Sequence, residues 1–149
     1  MIAIIILLLA ACGEAPSVPA SVKTAFDQKF TDAKSVKWEK ENDTEWEAEF
    51  KLKGNEYSAN FNADGSWVET EHEIQLAELP ALIKTAIETD YPELKIEEIE
   101  ISEKADGILY EITLEGVILV YNADGKLVNK VPAKEGDDVS VISAVNTVL

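Results

Sequence analysis

Apart from its carboxylates, the chain has few side chains that could perform chemistry. It contains one histidine, His72, and one cysteine, Cys12, beside 29 aspartates and glutamates. A hydrolase needs a nucleophile and a base in a fixed constellation, and no serine lies in the G-x-S-x-G pattern that presents a nucleophile on a sharp turn. A zinc site would have to be built from His72 and carboxylates alone. We therefore expect no catalytic residue, no cofactor and no metal site, and we interpret His72 as a solvated residue between two repeated units.

The net charge is strongly negative. Only 13 basic residues oppose the acidic ones, which gives a formal net charge of −16 at pH 7. Such a field repels nucleic acid and anionic lipid, and it attracts cations and basic partners. Glu45, Glu47 and Glu49 alternate with apolar residues, as on a solvated face of a sheet. The charge excludes nucleic-acid binding, and two interpretations stay open: it provides solubility, or it makes the protein responsive to divalent cations.

The first residues resemble a bacterial export signal. Residues 1–11 read MIAIIILLLAA, an uncharged apolar run with the length of a signal-peptide core and too short to span a bilayer. The run ends in LAAC at Cys12, which resembles the lipobox of bacterial lipoproteins, although no lysine or arginine precedes the run. The resemblance implies cleavage before Cys12 and attachment of lipid to this residue. Residues 12–17 then form a tether of small residues and proline, and Gly13, where some lipoproteins have aspartate, favours the outer over the inner membrane.

Lipidation also accounts for the cysteine count. A single exported thiol has no intramolecular disulfide partner, and acylation consumes it. In the alternative interpretation, residues 1–11 form a buried strand or helix and Cys12 is an ordinary core residue. We expect a protein of the cell envelope that faces the periplasm or the cell surface.

One segment of the chain recurs 61 residues later. Residues 18–30 read VPASVKTAFDQKF, and residues 79–91 read LPALIKTAIETDY. Both place apolar residues along the stripe of an amphipathic helix, and both carry an early proline, which suits the first turn of a helix. The turn sequence NADG likewise occurs at residues 62–65 and again at residues 122–125, which are 60 residues apart. Two separate matches at nearly one offset predict an internal duplication.

After each helical segment the period changes to two. In each repeat a pair of alternating runs flanks a glycine, Gly54 or Gly116, which indicates a hairpin. Shorter runs precede and follow these pairs, around residues 36–38, 67–68, 99–101 and 127–128. We therefore predict an α+β fold of two tandem repeats, repeat 1 over residues 18–73 and repeat 2 over residues 74–131. Each repeat is expected to pack one helix on an antiparallel sheet of about four strands.

The NADG turns admit two interpretations. Asparagine and aspartate form local side-chain hydrogen bonds in turns, and glycine accepts a positive φ, which favours a hairpin turn between the third and fourth strands. N-x-D-G also resembles the start of an EF-hand calcium loop, but that loop needs oxygen ligands over about twelve positions. Trp67 and Val68 occupy the middle of the first candidate loop, and Ala133 stands at the closing position of the second. We predict hairpin turns.

The third strand of repeat 2 is apolar on both faces. Ser58 and Asn60 of repeat 1 are replaced there by Ile118 and Val120, so these two side chains need a cover. We expect the C-terminal tail, residues 132–149, or the other repeat to provide it. The tail has apolar residues at helical spacing, with Asp137 or Asp138 as a cap, and its β-branched content keeps a strand open as the alternative. The spaced apolar residues are Val141, Ile142, Val145, Val148 and Leu149.

The three tryptophans, Trp38, Trp46 and Trp67, all lie in repeat 1. The alternation places Trp46 and Trp38 in the core. Trp67 and Val68 are adjacent on one strand and point to opposite faces, so one of them is expected away from its own helix, where a tryptophan would anchor a partner. In the alternative, Trp67 packs between the repeats. The candidate partner-binding residues are Trp67, Trp38, Ile118 and Val120.

The order of helix, four-stranded meander and NADG turn resembles the PepSY-like, β-lactamase-inhibitor-protein-like family of small exported proteins and lipoproteins of Bacteroidetes-type bacteria. The segments that carry the resemblance are VPASVKTAF, WEAEFKLKGNEYSANFNADG, LPALIKTAI and VYNADGKLV, within roughly residues 18–131. It implies a module that inhibits or chaperones another protein. We expect a non-enzymatic, lipid-anchored binding module whose partner is an exported protein or peptide, with an acidic protein responsive to divalent cations as the alternative.

Overall fold

The computed structural model describes residues 17–133, in which two helices and eight strands follow one another. Helix α1 (Ala20–Lys29) precedes four strands, and helix α2 (Ala81–Asp90) precedes four more. The strands are β1 (Lys34–Lys40), β2 (Glu45–Leu52), β3 (Asn55–Asn62), β4 (Trp67–Glu73), β5 (Ile96–Lys104), β6 (Gly107–Leu114), β7 (Val117–Asn122) and β8 (Leu127–Pro132). The predicted signal peptide, Cys12 and residues 134–149 of the predicted tail lie outside the described residues.

All eight strands form one antiparallel sheet, in which neighbours in the sequence are neighbours in the sheet. The α+β fold with two helices is confirmed. The sequence predicts two sheets of about four strands, however, whereas the two groups of strands are joined edge to edge. The joint is the pairing of β4 with β5, which places Glu71 opposite Ser102 and His72 opposite Ile101.

Helix α1 packs on the first four strands through aromatic side chains. Its apolar stripe buries Val22 and Phe26, as the spacing predicts. The Phe26 ring centroid lies 5.0 Å from that of Phe50 and 5.2 Å from that of Trp38, both edge to face. Such contacts contribute about 0.5–1.5 kcal/mol per pair beyond the burial of their area. Trp38 thus belongs to the core of this group, as does the buried Trp46.

Helix α2 packs on β5, β6 and β7 through aliphatic side chains. Ile83 and Ile87 of the helix are buried against Ile112 and Leu119 of β6 and β7. The helix ends at Asp90, two residues before Pro92. A proline disfavours helical geometry in the residue before it, which accounts for the end of this helix.

Both helices lie on the same face of the sheet. This face is continuous from the first group of strands to the second, because directly paired residues point to the same side of a sheet. The paired residues that cross the joint on β3 to β6 are Tyr57, His72, Ile101 and Tyr110. Tyr57 packs against the cluster under α1, and Tyr110 packs against the cluster under α2. The opposite side of the sheet, on which neither described helix packs, is called the helix-free face below.

The NADG turns connect β3 to β4 and β7 to β8, and each turn packs against the start of a helix. Gly65 and Gly125 have φ angles of +92° and +79°. A Cβ atom added to Gly65 would lie 2.8 Å from the carbonyl oxygen of Ser21, and one added to Gly125 would lie 2.8 Å from Cβ of Leu82. The Ser21 hydroxyl also donates a hydrogen bond to the Ala63 carbonyl at 2.8 Å. Each turn therefore requires glycine at this position for two reasons: the φ angle is positive, and there is no space for a Cβ atom.

Side-chain oxygens complete these turns. Asp64 Oδ1 accepts hydrogen bonds from the amide and the hydroxyl of Ser66, at 2.8 and 2.7 Å. These bonds, the amide first, hold the pKa of Asp64 below its usual value. In the second turn Asn122 Oδ1 accepts a hydrogen bond from the Lys126 amide at 2.9 Å. The predicted hairpin turns with local side-chain hydrogen bonds are confirmed.

We expect Gly65→Ala to destabilise the fold more than Gly54→Ala does. Both glycines have a positive φ, so alanine at either position costs about 1–2 kcal/mol of backbone strain. Only at Gly65 does the added methyl group also meet backbone atoms of Ser21, since a Cβ atom at Gly54 has nothing within 4 Å. In denaturant unfolding, the loss for Gly65→Ala should exceed that for Gly54→Ala by at least about 1 kcal/mol. Equal losses would show that the turn does not press against α1.

Candidate functional site

Polar side chains, mostly glutamates, cover the helix-free face from β2 to β6. They are Glu47, Glu49, Ser58, Asn60, Glu69, Glu71, Glu73, Glu98, Glu100, Ser102, Lys104 and Glu111. Two of these glutamates are nearly inaccessible, since Glu69 and Glu111 are 6% and 4% exposed. The helix-free face is therefore a charged surface built into the regular alternation of the strands.

A buried ion pair lies at the centre of this face, on the joint between the two groups of strands. Glu69 of β4 and Lys104 of β5 are directly opposite in the register. Lys104 Nζ lies 2.9 Å from Glu69 Oε2, and the Ser102 hydroxyl donates to the same oxygen at 3.3 Å. Removing one partner of such a pair typically costs about 3–5 kcal/mol. The pair therefore disfavours any other register between β4 and β5.

Like charges oppose one another on both sides of this ion pair. Glu39 of β1 lies opposite Glu47 of β2, and Glu100 of β5 lies between Glu73 of β4 and Glu111 of β6. Directly opposed like charges destabilise a sheet. We call these five residues the glutamate ladder. Its arrangement means that a cation or a basic side chain placed between the carboxylates would relieve their repulsion.

Two members of the glutamate ladder have strongly perturbed acidity. Burial, and then the charge of Glu41, raises the pKa of Glu47 from 4.5 to about 7. Burial, and then the charge of Glu98, raises the pKa of Glu100 from 4.5 to about 7. The charge of the helix-free face therefore changes around neutral pH.

An apolar patch, formed by Ile118, Val120 and Val131, lies at the β8 end of the same face. Ile118 of β7 is directly opposite Val131 of β8, and Val120 is opposite Asn129. Ile118 is 8% exposed and Val120 is fully buried. Ile118 and Val120 are thus on the helix-free face, and little of either side chain is exposed.

Trp38 and Trp67 lie on the other face, with α1. The Trp67 indole donates a hydrogen bond to the Thr70 hydroxyl at 3.0 Å, and Lys29 Nζ lies 3.7 Å from the centroid of its ring. Trp38 packs on Phe26, as described above. The structure therefore separates the four candidate partner-binding residues into two pairs on opposite faces, and one partner surface cannot contact both pairs.

His72 is not the solvated linker residue that the sequence suggests. It lies in β4 on the helix side, where its ring stacks on Tyr57 with the centroids 4.4 Å apart. Its Nδ1 atom is buried and has no hydrogen-bond partner among residues 17–133. Burial lowers the pKa of His72, although the charges of Glu103 and Glu78 oppose this shift. The interpretation of His72 as a solvated residue between two repeats is wrong, because β4 extends to Glu73 and pairs with β5 along this stretch.

Two further properties concern the described part of the chain. Within residues 17–133, no group of three or more histidine, cysteine, aspartate or glutamate side chains is positioned to hold a metal ion. In the same residues no helix combines the length and the apolar composition needed to cross a membrane.

The sequence matches the family model described as "Putative beta-lactamase-inhibitor-like, PepSY-like" over residues 14–56 and 45–129. The matched residues include both helices and seven complete strands, and the chain belongs to this family. The resemblance inferred from the helical segments and the NADG turns is confirmed. The sequence matches no curated protein.

Solved structures from Bacteroides have the same fold. A BLIP-like protein from Bacteroides fragilis is 22% identical with a TM-score of 0.76, and the match covers 85% of this chain and 94% of that one. A "putative periplasmic" protein from Bacteroides eggerthii is 16% identical with a TM-score of 0.71, and the match covers 78% of this chain and 90% of that one. At these identities the likeness shows the fold, and the function has to be argued from the helix-free face.

Glu47 and Glu100 should make the fold less stable as the pH rises from about 4.5 to about 7. In the folded protein they keep their protons up to pH about 7, whereas in the unfolded chain they release them near 4.5. The unfolded state therefore binds fewer protons over this interval, and stability falls with pH. Glu47→Gln and Glu100→Gln should each raise the free energy of unfolding near pH 8 on the order of 1 kcal/mol, after allowance for solvent screening.

The measurement is denaturant unfolding of each variant at about pH 5 and about pH 8. Glu56→Gln serves as the control, because Glu56 is exposed on β3. The two ladder variants should gain stability relative to the wild type at the higher pH only. A gain that is the same at both values, or the same as for Glu56→Gln, would contradict the raised pKa values.

Proposed function

We propose that the chain is a non-enzymatic binding module of the cell envelope and that its helix-free face contacts another exported protein. One observation carries the proposal: both described helices pack on one face of the sheet, and the opposite face presents the glutamate ladder. Eight strands side by side make a surface about 30–35 Å wide. A specific interface buries about 800 Å² on each partner, which a surface of this width supports.

The chemistry of the face favours a partner with basic side chains. A lysine or arginine placed beside Glu39 and Glu47, which lie opposite each other on β1 and β2, would relieve the repulsion across that strand pair. The net charge of −16 would also steer a basic partner toward the protein and raise its association rate. Binding of this kind weakens with salt, because exposed charges are screened over about 8–10 Å at physiological ionic strength.

A second candidate function is a response to divalent cations. It rests on the excess of 29 acidic over 13 basic residues, because a net charge of −16 attracts cations to the protein. Calorimetry of the mature chain with millimolar calcium separates the two candidates. A lack of heat would remove the cation response and leave the protein-binding proposal in place.

The envelope location is also part of the proposal. We infer that residues 1–11 are removed and that lipid on Cys12 anchors the mature protein, with Gly13 favouring the outer membrane. The LAAC motif supports this location, and so does the fold shared with the periplasmic-type protein of Bacteroides eggerthii. The described domain starts at residue 17, so only a short tether would separate it from the lipid.

We further propose that two copies of one helix-and-strand unit, over residues 18–73 and 74–131, arose by duplication. Matched positions have matched burial: Val22 corresponds to Ile83 and Phe26 to Ile87, and all four side chains are buried. Each copy also packs an NADG glycine against the first turn of its own helix. The duplication would explain why a single polypeptide builds a sheet wide enough for a protein partner.

The binding proposal is tested by capture from an envelope extract. The bait is the mature chain with Cys12→Ser, and the face variant carries Glu49→Lys and Glu71→Lys on the helix-free face. The matched control carries Asp27→Lys and Glu88→Lys, which make the same change in charge on exposed positions of α1 and α2. A partner identified by mass spectrometry should be retained by the wild type and the control and lost with the face variant. Recovery of no partner, or equal recovery by both variants, would count against the proposal.

A further inference from the structure

The two edges of the described sheet differ in the backbone groups that they offer to a further strand. On β8 the Ala133 amide donates inward to the Gly116 carbonyl at 3.1 Å. Because hydrogen-bonded and non-hydrogen-bonded pairs alternate along an antiparallel ladder, the backbone groups of Pro132 and Lys130 face outward. Pro132 has no N–H group, and the Lys130 amide donates to Asn129 Oδ1 at 2.9 Å. Neither residue therefore offers an amide to another strand.

The edge formed by β1 is open by the same criterion. The Glu41 amide donates to the Glu45 carbonyl at 3.1 Å, which makes these two residues a hydrogen-bonded pair. The register between β1 and β2 then runs without a shift as far as Lys37. Alternation along this stretch directs the backbone groups of Trp38 and Lys40 out of the sheet, and in the described sheet no strand lies beyond β1.

Strand β1 is also accessible and only weakly charged for this protein. Six of its seven residues are exposed, and this exposure does not depend on residues 1–11, whose removal would only uncover further surface. The strand carries three lysines and one glutamate, whereas β5 carries four glutamates and one lysine. Two copies of this acidic chain therefore repel each other less at β1 than at such a strand.

The sequence of β1 is complementary to itself in one antiparallel register. When Trp38 of one copy lies opposite Trp38 of a second copy, the outward backbone groups of the two strands meet. Lys37 of each copy then lies opposite Glu39 of the other, because the arrangement has two-fold symmetry. Lysines on an edge strand disfavour pairing with unrelated strands, but opposite charges stabilise a directly opposed pair.

Other registers between two β1 strands bring like charges together. The direction of the outward backbone groups allows shifts by two residues only. A shift in one direction places Lys37 opposite Lys37 of the second copy, and a shift in the other places Glu39 opposite Glu39. Directly opposed like charges destabilise a sheet, so the register centred on Trp38 is favoured over its neighbours.

The contacts within one chain leave Lys37 available for this pairing. Its side chain is 78% exposed, and its Nζ atom lies 3.9 Å from Glu49 Oε2. An ion pair this exposed contributes little, so the side chain can turn toward a second copy at little cost. There it would lie beside Glu39, which faces Glu47 within its own chain, and would relieve the repulsion between these two carboxylates.

We propose that two copies of the mature chain pair through their β1 edges and form one antiparallel sheet of sixteen strands, eight from each copy. The two-fold axis passes between the two Trp38 residues. Because directly opposed residues point to the same side of a sheet, all four helices lie on one side, and the two helix-free faces join into one surface. The pairing stands without the proposed function, which decides only what that surface binds.

Sedimentation of the mature chain with Cys12→Ser, which has no cysteine, tests the association. The average mass should rise toward that of a dimer over about a hundredfold increase in concentration. Lys37→Glu and Glu39→Lys should each weaken the dimer at least about tenfold, because each opposes like charges across the two-fold axis. The double variant, Lys37→Glu with Glu39→Lys, restores unlike charges and should associate as the wild type does.

Lys126→Glu serves as the matched control. It makes the same change in charge as Lys37→Glu at an exposed position in the turn between β7 and β8, and the dimer should persist. Circular dichroism shows whether each variant is folded. The pairing is overturned if the wild type stays monomeric over the whole range, if a folded double variant stays monomeric, or if Lys126→Glu weakens the dimer as much as Lys37→Glu does.

Disulfide formation tests the register. Lys37→Cys and Glu39→Cys are made in two separate chains, each with Cys12→Ser, and the mixed dimer retains one Lys37–Glu39 pair. In the proposed register position 37 lies opposite position 39 of the second copy, whereas the two positions 37 are about 8 Å apart, beyond the roughly 7 Å that a disulfide bridges between Cα atoms. The mixture should therefore cross-link at least about tenfold faster than either variant alone.

Equal cross-linking rates in the mixture and in the separate variants would overturn the pairing. The two proposals fail separately. If capture from the envelope extract recovers no partner but the dimer forms with this register, the proposed binding function falls and the β1 pairing stands. If a partner is captured by a chain that stays monomeric, the β1 pairing falls and the binding function stands.

Discussion

The pairing of β4 with β5 is the constraint on which the rest of the structure depends. Because side chains alternate along a strand, a shift of this register by one residue would move every side chain of one group of strands to the opposite face. Such a shift would separate Glu69 from Lys104, whose charged atoms are 2.9 Å apart in the buried centre of the joint. The observed register instead keeps both helices on one side and creates one helix-free face eight strands wide.

The two faces of the sheet affect the stability of the fold in opposite ways. The helix side holds the apolar clusters and the glycine turns that press against α1 and α2, and these contacts supply stability. The helix-free face opposes like charges and raises the pKa of Glu47 and Glu100 to about 7, which reduces stability at neutral pH. Perturbed carboxylates of this kind cluster at functional sites, and this asymmetry is the reason why we propose binding at that face.

Local features of the fold could be predicted from the sequence, and features of pairing could not. The stripe through Val22 and Phe26, the alternation in β2 and the NADG turns depend on neighbouring residues, and all are confirmed. The pairing of β4 with β5 joins strands on either side of α2, and an edge strand has the same alternation as a central one. Without that pairing, His72 reads as a linker residue, although it lies within the sheet.

The candidate site shows the same division. Ile118 and Val120 could be assigned to an outward face because their counterparts Ser58 and Asn60 are polar. Trp67 could not be assigned, since a register shift between β3 and β4 lies next to it and breaks the simple alternation. The glutamate ladder could not be predicted, because the sequence contains many acidic residues and only the strand register shows which carboxylates oppose one another.

The two helix-and-strand units share one sheet and should therefore unfold as one cooperative fold. All three tryptophans lie in the first unit, so tryptophan fluorescence reports the unfolding of that unit alone, whereas far-ultraviolet circular dichroism reports both. Denaturant unfolding of the mature chain, followed by both probes, is the most direct test. A continuous sheet predicts that the two transitions coincide in midpoint and slope. A second transition seen by circular dichroism but not by fluorescence would show that the units fold separately and would contradict the account.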